Sequence, residues 1–379
     1  MKKIILIIAL LLAPMLAHSK LYKRALAISG GGLNSAIFLG NLHGLVDGGK
    51  KPDLIIGSCG GSLATAIAKL IPDSKKQKEF LKSREWFDLL HSLKANPKAD
   101  LLGAIGNLIS MYYRRNTETM PNLFEDYMFE IPEKLKSFSL FDRPIEHSEE
   151  GYNIIIQGSK MLISSRQKGL ELTSGQKAYQ QVFFTDPVTA KKLKGFVSPI
   201  AKTFPGSYVA RETEVYSDWK ISEAVRTSIS DMYVMKPFQN NGETYITGVI
   251  NNYPLRIARK LARETIVQLR QEYSIPVQAA AKAVFGYDNN RWLRLYHRFR
   301  PDHWIDASDM GQLNYTFQPS TSGFSFTSGV PSNFLKYQQM IEEQWSYGYE
   351  RGLEAATQPR YSQKHWRHKN SDNAYELHF

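Results

Sequence analysis

The sequence has a single cysteine, Cys59, so no internal disulfide can form and stability has to come from an ordinary core. Hydrophobic residues make up 42% of the chain, which suffices for one. No apolar run beyond residue 17 reaches membrane-spanning length. No zinc- or calcium-type ligand spacing occurs, so neither a metal nor a cofactor is expected. No Gly-Lys-Ser/Thr ending follows a glycine-rich stretch, and residues 30–35 (GGGLNS) lack the third glycine of a dinucleotide fingerprint. Phosphate cradles are thereby excluded. Internal repeats and long low-complexity tracts are also missing.

What is present begins at the N-terminus. Lys2 and Lys3 precede an apolar stretch over residues 4–17, and Ala17 and Ser19 place small residues at the −3 and −1 positions of a cleavage site. This pattern predicts a signal peptide over residues 1–19, hence export to the periplasm, the outer membrane or the medium. Without Lys2 and Lys3, 46 basic side chains stand against 36 acidic ones, a net charge of +10. In an exported protein that balance suits an anionic membrane surface, or else it is spread thinly for solubility. Nucleic acid fits export poorly and is not an expected partner.

Apolar residues 25–28 run into Ser29-Gly30-Gly31-Gly32, and a helical pattern follows with Ala36, Leu39, Leu42 and Val46 on one face. Residues 54–56 form a second apolar run entering Gly57-Ser58-Cys59-Gly60-Gly61, and Leu63, Ala66, Ile67 and Leu70 mark the helix beyond it. Two strand–loop–helix units in succession predict a parallel α/β sheet. Residues 76–135 read as a helical insertion, a lid or plain packing, in which Met111, Tyr112 and Tyr113 stand out. Strands are expected at 152–157 and 180–186, a helix at 222–229, and a turn leading into a helix over 246–264. Arg256, Arg259, Lys260 and Arg263 would share one face of that helix. Residues 291–304 are rich in arginine and aromatics, and the tail 357–379 is basic.

The one thiol sits at a strand-to-helix turn with glycines two residues either side, Gly57 and Gly61. A nucleophile elbow needs such small neighbours because the turn is too tight for side chains. A separate glycine loop, Gly30-Gly31-Gly32, is suited to aiming backbone N–H groups at a developing oxyanion. Together these features resemble the patatin-like phospholipase family, with its Gly-Gly-Gly-x-Arg-Gly loop and Asp-x-x-x-Gly-x-Ser-x-Gly elbow, here residues 53–61. Residues 223–238 (EAVRTSISDMYVMKPF) are similar to the family's Ala-x-Arg-Ala-Ser block, residues 246–258 (ITGVINNYPLRIA) to its Asp-Gly-Gly-Val-x-x-Asn-x-Pro block, and residues 344–356 to its closing helix. The resemblance spans residues 24–356. It implies a three-layer α/β/α sandwich with a mostly parallel central sheet and helical insertions, acting on lipid acyl groups without a metal.

The resemblance also implies two departures. Cys59 stands at the serine position, and Ile246 stands where the family's aspartate would be, followed by Thr247. Asn34-Ser35 replaces the loop's Arg-Gly. A site so altered predicts a patatin scaffold without its dyad, an exported pseudoenzyme or strongly impaired lipid acyl hydrolase that binds lipid, an anionic membrane or a protein partner. The alternative is an active acyl hydrolase or acyltransferase using Cys59. A thiol ionises far more readily than a hydroxyl, and a thiolate leaving group needs no proton, so thioesters or activated esters would suit it. Asp231 is a candidate replacement base. For His43 packing or solvent is expected, and for Ser58 and Ser62 helix capping.

Overall fold

The computed structural model describes residues 20–357 apart from 32, 97–121, 132–135, 168–169, 171, 173–174, 270–271, 274, 299, 314–316 and 320–325. The expected signal segment, Gly32, the tail beyond 357 and the stretch holding Met111, Tyr112 and Tyr113 lie outside the described residues.

The chain alternates strand and helix from the start, as the two glycine-linked units require. Strand β1 is Tyr22–Ile28, helix α1 Ser35–Asp47, β2 Leu54–Ser58 and α2 Gly60–Leu70. Helices α3 (Ser74–Leu81) and α4 (Arg84–His91) follow, capped by Asp73 and Ser83, whose side chains accept from the N–H groups of Lys76 and Trp86. Then come β3 (Asn153–Met161), β4 (Tyr179–Thr185), β5 (Glu214–Tyr216), α5 (Ile221–Ser228), β6 (Phe238–Asn240), β7 (Glu243–Ile246), α6 (Leu255–Leu261), β8 (Ala262–Leu269), α7 (Asn289–His297), β9 (His303–Asp306) and α8 (Phe334–Thr357).

These nine strands form one sheet, ordered β9-β8-β1-β2-β3-β4-β5, with β7 pairing to both β3 and β6, and two short two-stranded sheets lie apart from it among the described residues. The pairings from β9 through β3 are all parallel, while β4 and β7 run antiparallel to β3. Register makes the layers. Ile266, Leu26, Ile55 and Ile154 stand side by side across four strands and pack with α1, α2, α5 and α8. One residue over, Ala25 and Leu54 face the opposite side against Ile257, Ala258 and Leu261 of α6. The period of two thus buries both faces, giving helices above and below a mostly parallel sheet.

Helix α8 crosses α1 with backbones in contact. A Cβ on Gly348 would lie 2.1 Å from the Ile37 carbonyl oxygen, and one on Gly352 would lie 2.1 Å from that of Asn41. From the other side, Gly40 and Gly44 meet the carbonyls of Trp345 and Tyr349. Four glycines at a spacing of four therefore seat the C-terminal helix on the helix that follows the glycine loop.

Two segments differ from the sequence reading. The helix expected through residue 264 ends at Leu261, and the chain turns at once into β8, whose Thr265, Ile266 and Val267 suit a central strand. Arg263 is consequently an exposed strand residue rather than part of a helical basic face. The arginine-aromatic stretch supplies α7, with Trp292, Leu293 and Tyr296 buried, and then β9.

Candidate active site

Strand β2 and helix α2 meet at Cys59, and the meeting is strained. Cys59 has φ of 48° and ψ of −126°, a conformation that an L-residue adopts only under constraint. The surroundings supply that constraint. A Cβ at Gly57 would strike Thr65 Oγ1 at 2.3 Å and the Gly61 backbone below 3.0 Å, and one at Gly61 would strike Ser29 O at 2.8 Å. Both glycines are therefore obligatory, as the elbow pattern requires. The Cys59 N–H donates to Ser228 Oγ at 2.9 Å, which fixes the turn to the end of α5.

Ser58 and Ser62 do not cap the helix. The Ser62 hydroxyl donates back to the Cys59 carbonyl at 2.6 Å, and Ser58 donates to the Gly248 carbonyl at 2.9 Å. Beneath them runs a buried polar ladder. Gln157 donates to Ser58 Oγ and to the Asn251 carbonyl, and Gln181 donates to Gln157 Oε1. This ladder pins the turn over residues 247–252 against the elbow. Gly248 lies so close that a Cβ there would sit 3.0 Å from the Cys59 nitrogen.

The glycine loop leans over the thiol from the end of β1. A Cβ on Gly30 would stand 3.0 Å from Cys59 Cβ, so only glycine permits this approach. The Asn34 side chain donates to the Gly31 carbonyl, and its own oxygen accepts from Gln344 of α8 at 3.3 Å. Asn34 thus ties the loop to the C-terminal helix. Asp53, the first residue of the elbow pattern, lies at the far end of β2 and accepts from the N–H groups of Lys23 and Arg24. His43 points away from the site and packs on Trp345 and Tyr349.

The carboxylate that reaches Cys59 is Asp231. Cys59 Sγ lies 3.1 Å from Asp231 Oδ2, and the Thr247 hydroxyl donates to Oδ1. Asp231 sits just beyond α5 on a loop that Arg226 holds, with guanidinium bonds to Ser230 Oγ and the Lys236 carbonyl. Burial pushes the Asp231 carboxyl above the ordinary carboxylate range, and the bonds from Thr247 and Cys59 only partly oppose this. Ile246 lies at the end of β7, fully buried in the apolar cluster that also holds Ile250 and Tyr253. Its neighbour Thr247 bridges to the acid, taking the Val249 N–H on the same oxygen that donates to Asp231. The signal for Asp231 was available in the sequence, since it is the one acidic residue between Glu223 and Glu243. Its distance of fifteen positions from the expected place kept its weight low.

An apolar cleft opens on the pair. Leu33, Leu63, Trp86, Leu90, Ile229 and Met235 line it, Cys59 and Asp231 lie at its floor, and it spans about 630 Å³ with its open mouth counted. That lining suits an apolar ligand with a few polar groups at one end.

A mostly parallel sheet between helix layers, a strained elbow under a glycine loop and an apolar cleft above it define a lipid acyl hydrolase fold. The model of the patatin-like phospholipase family matches residues 26–259, and the chain belongs to that family. No curated protein matches the chain. Among solved structures it is similar to VipD from Legionella pneumophila, at 12% identity and a TM-score of 0.33, covering 89% of this chain and 67% of that one.

Proposed function

We propose that the protein is a cysteine-dependent acyl hydrolase or acyltransferase acting on lipid acyl groups, with Cys59 as nucleophile and Asp231 as base. The observation that carries this reading is the 3.1 Å contact between Cys59 Sγ and Asp231 Oδ2 at the floor of the apolar cleft. A family serine works with an aspartate alone, and here a thiol has a carboxylate partner approaching from another segment.

The steps follow from that pair. The Asp231 carboxylate takes the thiol proton as sulfur attacks the acyl carbonyl, and a tetrahedral oxyanion forms. Its collapse breaks the bond to the leaving group, which leaves as alkoxide or thiolate and regains the proton from Asp231. Water, or an alcohol in transfer, then attacks the thioester on Cys59 with Asp231 again as base; the carbon–sulfur bond breaks, the acid or new ester leaves, and the Cys59 thiolate regains the proton from Asp231. An acid whose burial favours its neutral form can both receive and return a proton. Oxygen esters therefore enter the substrate range, beyond the thioesters that a cysteine acting alone would prefer. The acyl chain lies along Leu63, Trp86 and Leu90, and the head group faces solvent at the mouth.

The purified protein is assayed on phospholipids, simple esters and acyl thioesters beside Cys59→Ala. Turnover that disappears in the variant supports the reading, and the preferred substrate names its class. Equal background in both leaves a lipid- or partner-binding protein on an enzyme's fold.

A further inference from the structure

Asn252 approaches the glycine loop at Gly30 and has an unfinished hydrogen-bond inventory. The residue is 3% exposed. One end of its side-chain amide bonds the Tyr273 hydroxyl, while the other, occupied by Oδ1, has no hydrogen-bond partner among the described residues. That end faces the reacting centre. The point where a Gly30 Cβ would stand lies 3.4 Å from Asn252 Oδ1 and 3.6 Å from Cys59 Sγ, so the amide and the thiol border the same spot.

Leaving a buried amide group unpaired is costly, and a rigid mount makes it more so because the group cannot turn to water. The mount here is rigid. Gln157 holds the Asn251 carbonyl, Trp292 donates to Asn251 Oδ1, and the Tyr287 hydroxyl donates to the Ile250 carbonyl. Tyr273 is itself fixed by Asn290, which bonds both its N–H and its carbonyl. A half-turn of the amide exchanges its two ends. The Tyr273 hydroxyl then donates to the amide oxygen, and the amide N–H is presented beside Gly30 and Cys59. In that orientation the unpaired group is a donor facing the place where negative charge develops, the arrangement an oxyanion site needs before reaction.

We propose that Asn252 is a side-chain oxyanion donor, supplementing the backbone of the glycine loop, with Tyr273 setting the orientation of its amide. The proposal rests on Cys59 being the nucleophile. Its ligand is the carbonyl oxygen of any acyl ester or thioester bound at Cys59, whatever the chain or head group.

The test uses two reagents on the full chain. Iodoacetamide alkylates Cys59 by displacing iodide and forms no oxyanion, whereas an octanoyl thioester acylates it through one. Intact mass is followed against time for wild type, Asn252→Ala and Tyr273→Phe. Asn252→Ala is expected to slow acylation by about 10²–10³-fold, the usual loss for one oxyanion donor, with alkylation unchanged. Tyr273→Phe, on a half-buried loop, is expected to slow acylation about fivefold, the worth of one ordinary hydrogen bond, again with alkylation unchanged. Unchanged alkylation also certifies that the elbow is folded. Equal slowing of both reactions makes Asn252 a structural residue and overturns the proposal, as does no slowing of either. A wild-type protein that is alkylated but never acylated overturns the nucleophile reading and this proposal with it.

Discussion

Replacing Asp231 with asparagine separates a catalytic acid–base from a structural one, because the change keeps the shape and leaves Thr247 an oxygen to donate to. An unassisted thiol with a pKa of about 8.5 is roughly 3% ionised at pH 7, so losing the base should slow sulfur attack about 30-fold. For a thioester, whose leaving group needs no proton, that is the whole loss. An oxygen ester also loses the returned proton, and the deficit should reach about 10²–10⁴-fold. The thioester deficit should shrink to about twofold near pH 8.5, where the thiol ionises by itself. The assay is kcat/KM from pH 6 to 9.5 for one thioester and one ester, wild type beside variant.

The same substitution makes an opposite prediction for stability. Burial raises the folded-state pKa of Asp231 above its unfolded value. Between those two values the folded protein binds the extra proton, so stability falls as pH rises. At pH 7 the buried carboxylate therefore costs stability that asparagine does not. Asp231→Asn should raise Tm at pH 7 and match wild type at about pH 2.5, where the carboxyl is neutral in both states. Loss of rate with gain of stability is the signature of a functional acid. Equal rates for both substrates at pH 7, or a lower Tm there, would refute the assignment.

Two further predictions concern the scaffold. Gly348→Ala drives a methyl group into the Ile37 carbonyl of α1 and should cost about 2–3 kcal/mol in denaturant unfolding, whereas Gly206→Ala, with open space around it, should be near neutral. Glu264 is buried, which raises its carboxyl, but bonds from Arg24, Lys50 and His303 overcome this and hold it down at about 2. Its contribution, about 2–3 kcal/mol, should be complete above pH 4.5 and disappear between 4.5 and 2, and Glu264→Gln should flatten that part of the stability profile.

Much of the fold was legible because it rests on local rules. The runs at 25–28 and 54–56 enter glycine turns, and small residues at 57 and 61 fit both the tight turn around Cys59 and its close packing on Thr65 and the end of β1. Strand β8 was harder to read. Residues 255–264 carry an uninterrupted helical pattern, and only the parallel pairing of Leu26 with Ile266 and Ala27 with Val267 makes the chain extend after Leu261. The arginine-aromatic stretch misleads for a similar reason, since Arg291, Arg294 and Arg298 are exposed while the aromatics between them are core. The elbow and its glycine loop were visible by spacing. Asp231 was legible as a candidate base and its contact with Cys59 was not, because the loop after α5 reaches Cys59 through tertiary contacts, Arg226 to Lys236 on one side and Thr247 on the other.

The resemblance to the family implies that Cys59 and Ile246 hold its serine and aspartate positions, and the two residues make chemical sense when taken together. An acid at the Ile246 position would have to stand fully buried in the apolar cluster that Ile246 now joins. Asp231 instead has a hydroxyl from Thr247 on one oxygen and the thiol on the other, so both its oxygens are used. A carboxylate approaching from a loop, with one supporting hydroxyl, is a modest base for a serine, whose hydroxyl must be almost wholly deprotonated in the transition state. It is adequate for a thiol, which ionises near neutral pH. The cysteine thus relaxes the demand on the base, and the moved base can meet what remains. On this argument Cys59→Ser should lose more activity on thioesters than Asp231→Asn does, since it restores the harder nucleophile without restoring the family's acid. If Cys59→Ser instead matches or exceeds wild type, the pairing of thiol with relocated carboxylate is incidental.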